Sequence, residues 1–241
     1  MRVLVIRPEP SAQRTARKLT SLGHDPIVLP LAAAENDTDG TREALKEPHS
    51  SLAITSAQAV RVLQSLGPEL DRHLLSTVFA VGRSTARVAT ETGFRTVLTA
   101  EGDGRELADF IAAHYRNFGT PVEPTLYLAG IPRAPNFEAR LKEHDIRFKT
   151  VDSYRMKPIR PPRATLRPIL LDGRPDAILF HSRESAVRFF QLPMVEEYPD
   201  QLQSTLLLCM SRNVATAVPE RFAASVVVAS RPDEDSLLDL L

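Results

Sequence analysis

Short apolar runs alternate with segments of helical spacing along the whole chain, and this alternation limits the available folds more than any other feature. Arg2–Ile6 is a β-rich run followed at once by Arg7-Pro8-Glu9-Pro10. Apolar positions then recur at Ala12, Ala16, Leu19 and Leu22, close to a helical period, and Gly23 ends the pattern. Pro26–Pro30 reads as the next strand. Further strand-like cores are Leu52–Thr55, Val78–Val81, Thr96–Leu98, Thr125–Leu128, Phe148–Val151, Ala177–Phe180, Leu206–Met210 and Ser225–Val228. Helical stretches are expected near residues 57–66, 83–92, 104–117, 135–144, 183–191, 212–221 and 233–240. Such alternation predicts an α/β fold, with parallel sheets covered by helices.

A length of 241 residues suits two lobes of about 100–120 residues each. Lys157–Arg163 holds Pro158, Pro161 and Pro162, a density that reads as a linker or loop. A faint internal repeat also fits two lobes. Leu52-Ala53-Ile54-Thr55-Ser56 followed by Ala59-Val60-Arg61 is similar to Ile178-Leu179-Phe180-His181-Ser182 followed by Ala186-Val187-Arg188. Phe79–Ser84 is similar to Leu208–Asn213 in the same order. Chance similarity between apolar strands is the competing explanation.

Composition narrows the function classes. Hydrophobic residues make up 43% and charged residues 25%, enough for a buried core. Thirty basic side chains balance thirty acidic ones, so the basic excess usual in a nucleic-acid partner is missing. No apolar run approaches the ~18 residues of a membrane span, and no signal-peptide core fits at the start. A cytoplasmic location is the default expectation. The single cysteine, Cys209, lies in the apolar run Leu206–Met210 and reads as a core residue.

Ligands of open parallel sheets bind beyond the carboxyl ends of the strands, where helices begin. Short polar residues stand at such ends in Thr55-Ser56, Gly82-Arg83-Ser84-Thr85, His181-Ser182-Arg183 and Ser211-Arg212-Asn213. Each serine or asparagine can simply cap a helix. Together, with arginines beside three of the four, they suit carboxylate or phosphate ligands at helix N-termini. Glycine-rich nucleotide loops, the HExxH zinc signature and the GxSxG elbow are all missing from the sequence. The six histidines lack metal-ligand spacing and read as surface or helix residues. Gly102-Asp103-Gly104 reads as a turn. Tyr154 closes Val151-Asp152-Ser153-Tyr154 just before the prolines. It can act as an amphipathic packing residue or offer a phenolic proton to a leaving group.

Several of these segments, in this order and spacing, resemble the uroporphyrinogen-III synthase family. They are Val3-Leu4-Val5-Ile6-Arg7-Pro8 with Gly23 and Pro30, Ile54-Thr55-Ser56-Ala57-Gln58-Ala59-Val60, Phe79-Ala80-Val81-Gly82-Arg83-Ser84-Thr85-Ala86, Leu126-Tyr127-Leu128-Ala129-Gly130, Val151–Tyr154, Phe180-His181-Ser182 and the closing strand and helix with Leu237-Leu238. The resemblance covers nearly the whole chain. It departs at Val214, where the family's Gly-x-x-Thr-Ala has threonine, and at Asp145, where glycine is common.

The resemblance implies two flavodoxin-like parallel-sheet lobes joined by a two-strand linker, with the first lobe discontinuous. Residues 1–34 and 159–241 would form one lobe and residues 36–155 the other. It implies a hydro-lyase that closes hydroxymethylbilane, a linear tetrapyrrole with eight carboxylates, with inversion of the terminal pyrrole and loss of water. No metal or organic cofactor is implied, and a monomer is expected. Tyr154 stands where the family's candidate acid lies. Arg7, Thr55, Ser56, Gly82, Arg83, Ser84, Thr85, Gly130, Ser182, Ser211 and Arg212 form the candidate substrate-binding set, lining a cleft between the lobes. Two other readings stay open: a two-lobed anion-binding sensor without turnover, and a nucleotide-sugar transferase, for which the sequence lacks metal or nucleotide motifs.

Overall fold

The central strands are apolar on both faces because both faces are covered by helices. The structure, a computed structural model, describes residues Met1–Leu241. β1 (Arg2–Val5) leads into α1 (Ser11–Ser21), whose buried Ala12, Thr15, Ala16 and Leu19 form one stripe, and β2 (Asp25–Val28) follows. Then come β3 (Ala32–Asn36), α2 (Thr38–Lys46), β4 (Ser51–Ile54), α3 (Ala57–Gln64), β5 (Thr77–Val81), α4 (Gly82–Thr92), β6 (Thr96–Ala100), α5 (Gly104–Phe118), β7 (Thr125–Ile131), α6 (Asn136–Glu143) and β8 (Phe148–Pro158). The last third holds α7 (Arg163–Arg167), β9 (Ala177–Phe180), α8 (Arg183–Phe190), α9 (Pro193–Glu197), β10 (Leu206–Cys209), α10 (Arg212–Ala215), β11 (Val226–Val228) and α11 (Glu234–Leu238). No helix is long and apolar enough to cross a membrane.

The chain forms two compact units, Met1–Ala33 with Lys157–Leu241, and Ala34–Met156. The first contains a parallel sheet in the order β11-β10-β9-β1-β2. Numbered within the unit, this is the flavodoxin-like order 2-1-3-4-5. Leu4, Ile6, Ile178, Phe180, Leu207 and Cys209 face α8, while Val3, Val5, Leu179 and Leu208 face α1 and α11. The second sheet runs β3-β8-β7-β4-β5-β6, with β4 to β8 all parallel. Its β6-β5-β4-β7-β8 core is doubly wound in the other common order, 3-2-1-4-5. Leu52, Ile54, Val78 and Ala80 face α3 and α4, and Ala53, Phe79 and Tyr127 face α5 and α6.

The structure revises several sequence expectations. β8 continues past Val151 to Pro158, so the first residues of the proline-rich segment belong to a strand. Proline is tolerated there because it closes the strand. The segment then turns directly into α7. The helix expected over 212–221 is a single turn, because Pro219 lies just beyond it, and a 3-10 turn covers Glu220–Ser225. β3 and α2 lie where no element was expected. Ala-Ala-Ala-Glu-Asn lacks β-branched residues, and Thr38-Asp39-Gly40 is a poor helix start. Asp37 supplies the missing signal: its carboxylate accepts the Gly40 N–H at 2.9 Å.

The turn at Gly102–Gly104 is a helix start. The Asp103 carboxylate accepts the Arg105 N–H at 2.6 Å, and Glu106 reaches back to the Asp103 N–H at 2.9 Å. Asn136 at the start of α6 donates to the same carboxylate at 3.0 Å. One residue thus caps α5 and ties it to α6. Asp103→Ala is expected to lower the urea-unfolding free energy by about 1 kcal/mol, with the far-ultraviolet circular dichroism unchanged.

Candidate functional site

In the second unit the strand order reverses between β4 and β7. The helices that follow these strands leave on opposite faces, which opens a crevice at the carboxyl ends. Thr55 and Ser56 follow β4 there, and Gly130 lies near the end of β7. Ser56 caps α3, its hydroxyl accepting the Gln58 N–H at 3.2 Å. Thr55 Oγ1 lies 3.2 Å from the phenol oxygen of Tyr127.

Tyr154 reaches this crevice through a bulge. β7 and β8 stay in register from Thr125↔Phe148 to Ala129↔Asp152, and then Gly130 pairs with Tyr154. Ser153 is therefore an extra residue in β8. Strict alternation would put Tyr154 on the face of Phe148, toward α5 and α6. The bulge turns it to the other face, where it packs with Leu128 and Val60. The ring lies against the backbone of Gly130, where a Cβ would overlap Cζ and Oη of the phenol. Only glycine leaves room. Tyr154 is 9% exposed. Burial raises its pKa above the ordinary phenol value, against a hydrogen bond with the Ser56 hydroxyl and the charge of Arg61. At neutral pH it is a protonated donor.

Next along the sheet, α4 begins at Gly82 in the left-handed region (φ 71°), with no side-chain cap. Arg83 and Ser84 are exposed, and Thr85 is buried. Arg83 pairs with Glu101 at 3.0 Å, both largely in solvent, so the pair adds little stability.

In the first unit the order reverses between β1 and β9, which places Arg7 and His181-Ser182 at the switch point. Ser182 and Ser185 cap α8 reciprocally, each hydroxyl accepting the other's N–H at 3.2 Å. Ser211, after the adjacent β10, accepts the Val214 N–H at 3.4 Å. Arg212 is exposed. Val214 is 4% exposed in the core with Phe190 and Phe222, so the hydroxyl of a threonine there would point into apolar surroundings.

Arg7 is already engaged. It donates to Glu234 Oε1 at 2.9 Å and to Thr15 Oγ1 at 3.3 Å, and the Thr15 hydroxyl in turn donates to Glu234. Burial works to raise the Glu234 pKa, but His181, Thr15 and Arg7 together hold it far below the ordinary carboxylate value. His181 is neither a surface residue nor a helix residue, as the sequence suggested, but a strand-end side chain that is 6% exposed. Its Nε2 stands 3.8 Å from Glu234 Oε1, and neither ring nitrogen has a hydrogen-bond partner.

The family model for uroporphyrinogen-III synthase HemD matches residues 13–239. The chain belongs to the uroporphyrinogen-III synthase family. It is by family an enzyme of tetrapyrrole biosynthesis. The fold is similar to that of uroporphyrinogen-III synthetase from Helicobacter pylori 26695, with a TM-score of 0.63 at 18% identity over 100% of this chain and 98% of that one. It is also similar to a mutant uroporphyrinogen III synthase from Thermus thermophilus, with a TM-score of 0.57 at 22% identity over 99% of this chain and 96% of that one. No curated protein matches the chain.

For a synthase of this family, the second unit brings Thr55, Ser56, Gly130 and Tyr154 together, with Gly82, Arg83, Ser84 and Thr85 at the next helix start. The first unit brings Arg7, Ser182 and Ser211 to the ends of neighbouring strands. Sequence reading missed Glu234, Thr15 and Tyr127. Their signals are weak: Glu234 looks like any acidic residue in a first helical turn, and Tyr127 like any strand aromatic.

This geometry has two measurable consequences. Gly130→Ala should displace the Tyr154 ring and cut turnover about 10²-fold, the scale of an ångström-sized misplacement, while thermal unfolding remains cooperative. For His181, burial pushes the pKa from 6.5 down to about 4, Arg7 acting in the same direction and Glu234 against it. The unfolded chain therefore takes up a proton that the folded chain refuses, and stability falls as pH drops below about 6.5. Between pH 7 and 5 the loss should approach about 2 kcal/mol, with unfolded Glu234 only beginning to titrate at the lower end. Urea unfolding of His181→Gln should show a smaller loss over the same interval.

Proposed function

We propose that this chain cyclises hydroxymethylbilane to uroporphyrinogen III, with Tyr154 as the proton donor that starts the reaction. The observation that carries the role is the bulge at Ser153, which sets a buried, protonated phenol against Gly130 and Ser56 at the carboxyl-end crevice. The hydroxymethyl carbon–oxygen bond breaks, its electron pair leaves with oxygen, and the oxygen takes the Tyr154 proton to depart as water. The neighbouring pyrrole nitrogen supplies the electrons that replace the lost bond, giving an azafulvenium cation. The substituted carbon of the terminal ring attacks it to form a spiro intermediate. Rearrangement inverts that ring, and the proton released on closure restores the phenol.

The rest is positioning. Eight substrate carboxylates need donors rather than net charge, and the chain carries none. The starts of α3, α4, α8 and α10 offer backbone N–H groups, with the hydroxyls of Ser56, Ser84, Ser182 and Ser211 beside them. Thr55, Gly82, Arg83, Thr85, Gly130 and Arg212 complete the substrate-binding set in this reading. Arg7 joins it through guanidinium N–H groups not turned to Glu234. Residues 1–34 with 159–241, and 36–155, act as the enzyme's two lobes, in a cytoplasmic monomer.

Hydroxymethylbilane also closes spontaneously without inversion to isomer I, which makes product identity a direct readout. Tyr154→Phe is expected to stay folded and bind substrate, yet lose about 10²-fold or more in turnover, so that isomer I accumulates. Chromatographic separation of the isomers checks this. Isomer III at the wild-type rate from Tyr154→Phe would leave positioning as the whole of catalysis and remove the phenol from it.

A further inference from the structure

Arg61 lies on α3 beyond the residues that the synthase reading uses, and its side chain is half-buried. Side chains on a helix lean toward its N-terminus, which carries the guanidinium back toward the first turn. There it donates to Gln58 Oε1 at 3.1 Å, and Gln58 Nε2 donates to Asn36 Oδ1 at 2.9 Å at the end of β3. The same first turn carries Ser56, the hydrogen-bond partner of the Tyr154 phenol, and the Tyr154 ring packs on the buried face of α3 beside Val60. Helix start, capping hydroxyl, guanidinium and phenol therefore form one group within the second unit.

We propose that Arg61 is a positioning residue that stabilises the negative charge Tyr154 acquires when it gives up its proton. This rests on the acid role proposed for Tyr154. A phenol that donates to a departing hydroxyl becomes a phenolate for the lifetime of the cation it has helped create. Burial alone makes that phenolate costly. Ser56 can donate one hydrogen bond to it, and the start of α3 adds a partial positive charge. Arg61 adds a full one, held by Gln58 and Asn36 so that it does not have to be gathered during the reaction.

The surrounding charges favour this assignment. Glu35 lies on β3, Asp152 and Arg155 on β8, and Arg133 beyond β7. Arg133 is committed to Asp152 at 2.7 Å and Glu138 at 3.3 Å on the opposite face of the sheet. Arg61 instead lies on α3, drawn back by Gln58 to the first turn on whose apolar side the phenol packs, and a positive charge there favours the phenolate.

The test uses the full chain with 3-fluorotyrosine in place of its four tyrosines, which makes every phenol titrate at lower pH. The fluorine signal of residue 154 is assigned by its loss in Tyr154→Phe. In Arg61→Gln the titration midpoint of this signal is expected to rise, and in Arg61→Lys to return most of the way. With ordinary tyrosine, kcat of Arg61→Gln should fall about ten-fold, a part of the roughly 10²–10⁴-fold that a general acid supplies, with KM nearly unchanged. An unmoved midpoint would overturn the proposal. So would a moved midpoint with unchanged kcat, or a raised KM at constant kcat, which would make Arg61 a carboxylate-binding residue instead. A Tyr154→Phe protein that forms isomer III at full rate would defeat the acid role itself, and the fluorine titration would still report whether Arg61 and the phenol are coupled.

Discussion

Tyr154 occupies its face of the sheet because Ser153 is an extra residue in β8, and the acid role proposed for it depends on that bulge. Without the bulge Ser153 would pair with Gly130, and the phenol, one place further on, would turn toward α5 and α6, away from Ser56 and α3. The bulge alone would not seat the ring, since the neighbouring strand lies about 4.8 Å away and any side chain at position 130 would fill the gap. Glycine there lets the aromatic ring lie on the backbone. Ser153 is itself fully buried, so the extra residue is packed into the interior and not looped out into solvent. Register, glycine and phenol are thus one device: change one and the other two lose their purpose.

The two units reach similar ends by different strand orders. Each has a single switch point, and each puts a serine-capped helix beside it: α3 after β4 and α8 after β9. A cap that satisfies its own helix leaves the remaining N–H groups and the helix dipole directed outward. Anion recognition of this kind, as proposed for this chain, needs no surplus of basic residues and so fits a net charge of 0 with the eight carboxylates of the proposed substrate. It also limits attraction for unrelated polyanions, since a set of dipoles has a short-range field and a cluster of lysines a long-range one.

Much of this was legible in the sequence, for physical reasons. Buried parallel strands must be apolar throughout, so β1, β4, β5, β7, β9 and β10 appear as short apolar runs. The residues following them are confined to turn and cap chemistry, so Ser56, Ser182 and Ser211 stand out as helix starts. What could not be read depends on partners distant in the chain. The bulge is a relation between β7 and β8 and has no mark within Val151-Asp152-Ser153-Tyr154. The role of Gly130 requires knowing which ring lies on it. His181 looked like one more scattered polar residue, because its place in the fold, with Nε2 3.8 Å from Glu234 Oε1, brings it against a residue far from it along the chain. β3 was missed because it takes its place from β8 and not from its own Ala-Ala-Ala-Glu-Asn.

The first unit adds a constraint on how Arg7 can serve a carboxylate ligand. Arg7 and Glu234 are each 24% exposed, so their pairing is only partly screened and the pair as a whole is close to neutral. A substrate carboxylate that approached Arg7 would meet Glu234 one hydrogen bond away, and two carboxylates around one guanidinium repel each other. Lys18 Nζ, 3.4 Å from Glu234 Oε2, offsets part of that repulsion. The neutral His181 does not add to it, and a proton on its ring would compete with Arg7 for the same oxygen. Keeping His181 uncharged therefore leaves Glu234 to Arg7 and Thr15. The guanidinium plane is then fixed by two partners on one side, with its other N–H groups directed away from the carboxylate. Such a fixed fork suits bidentate recognition better than a mobile one, since little conformational freedom is lost when the ligand arrives. Glu234 thus fixes the Arg7 guanidinium in this unit, much as the bare backbone of Gly130 seats the Tyr154 ring in the other.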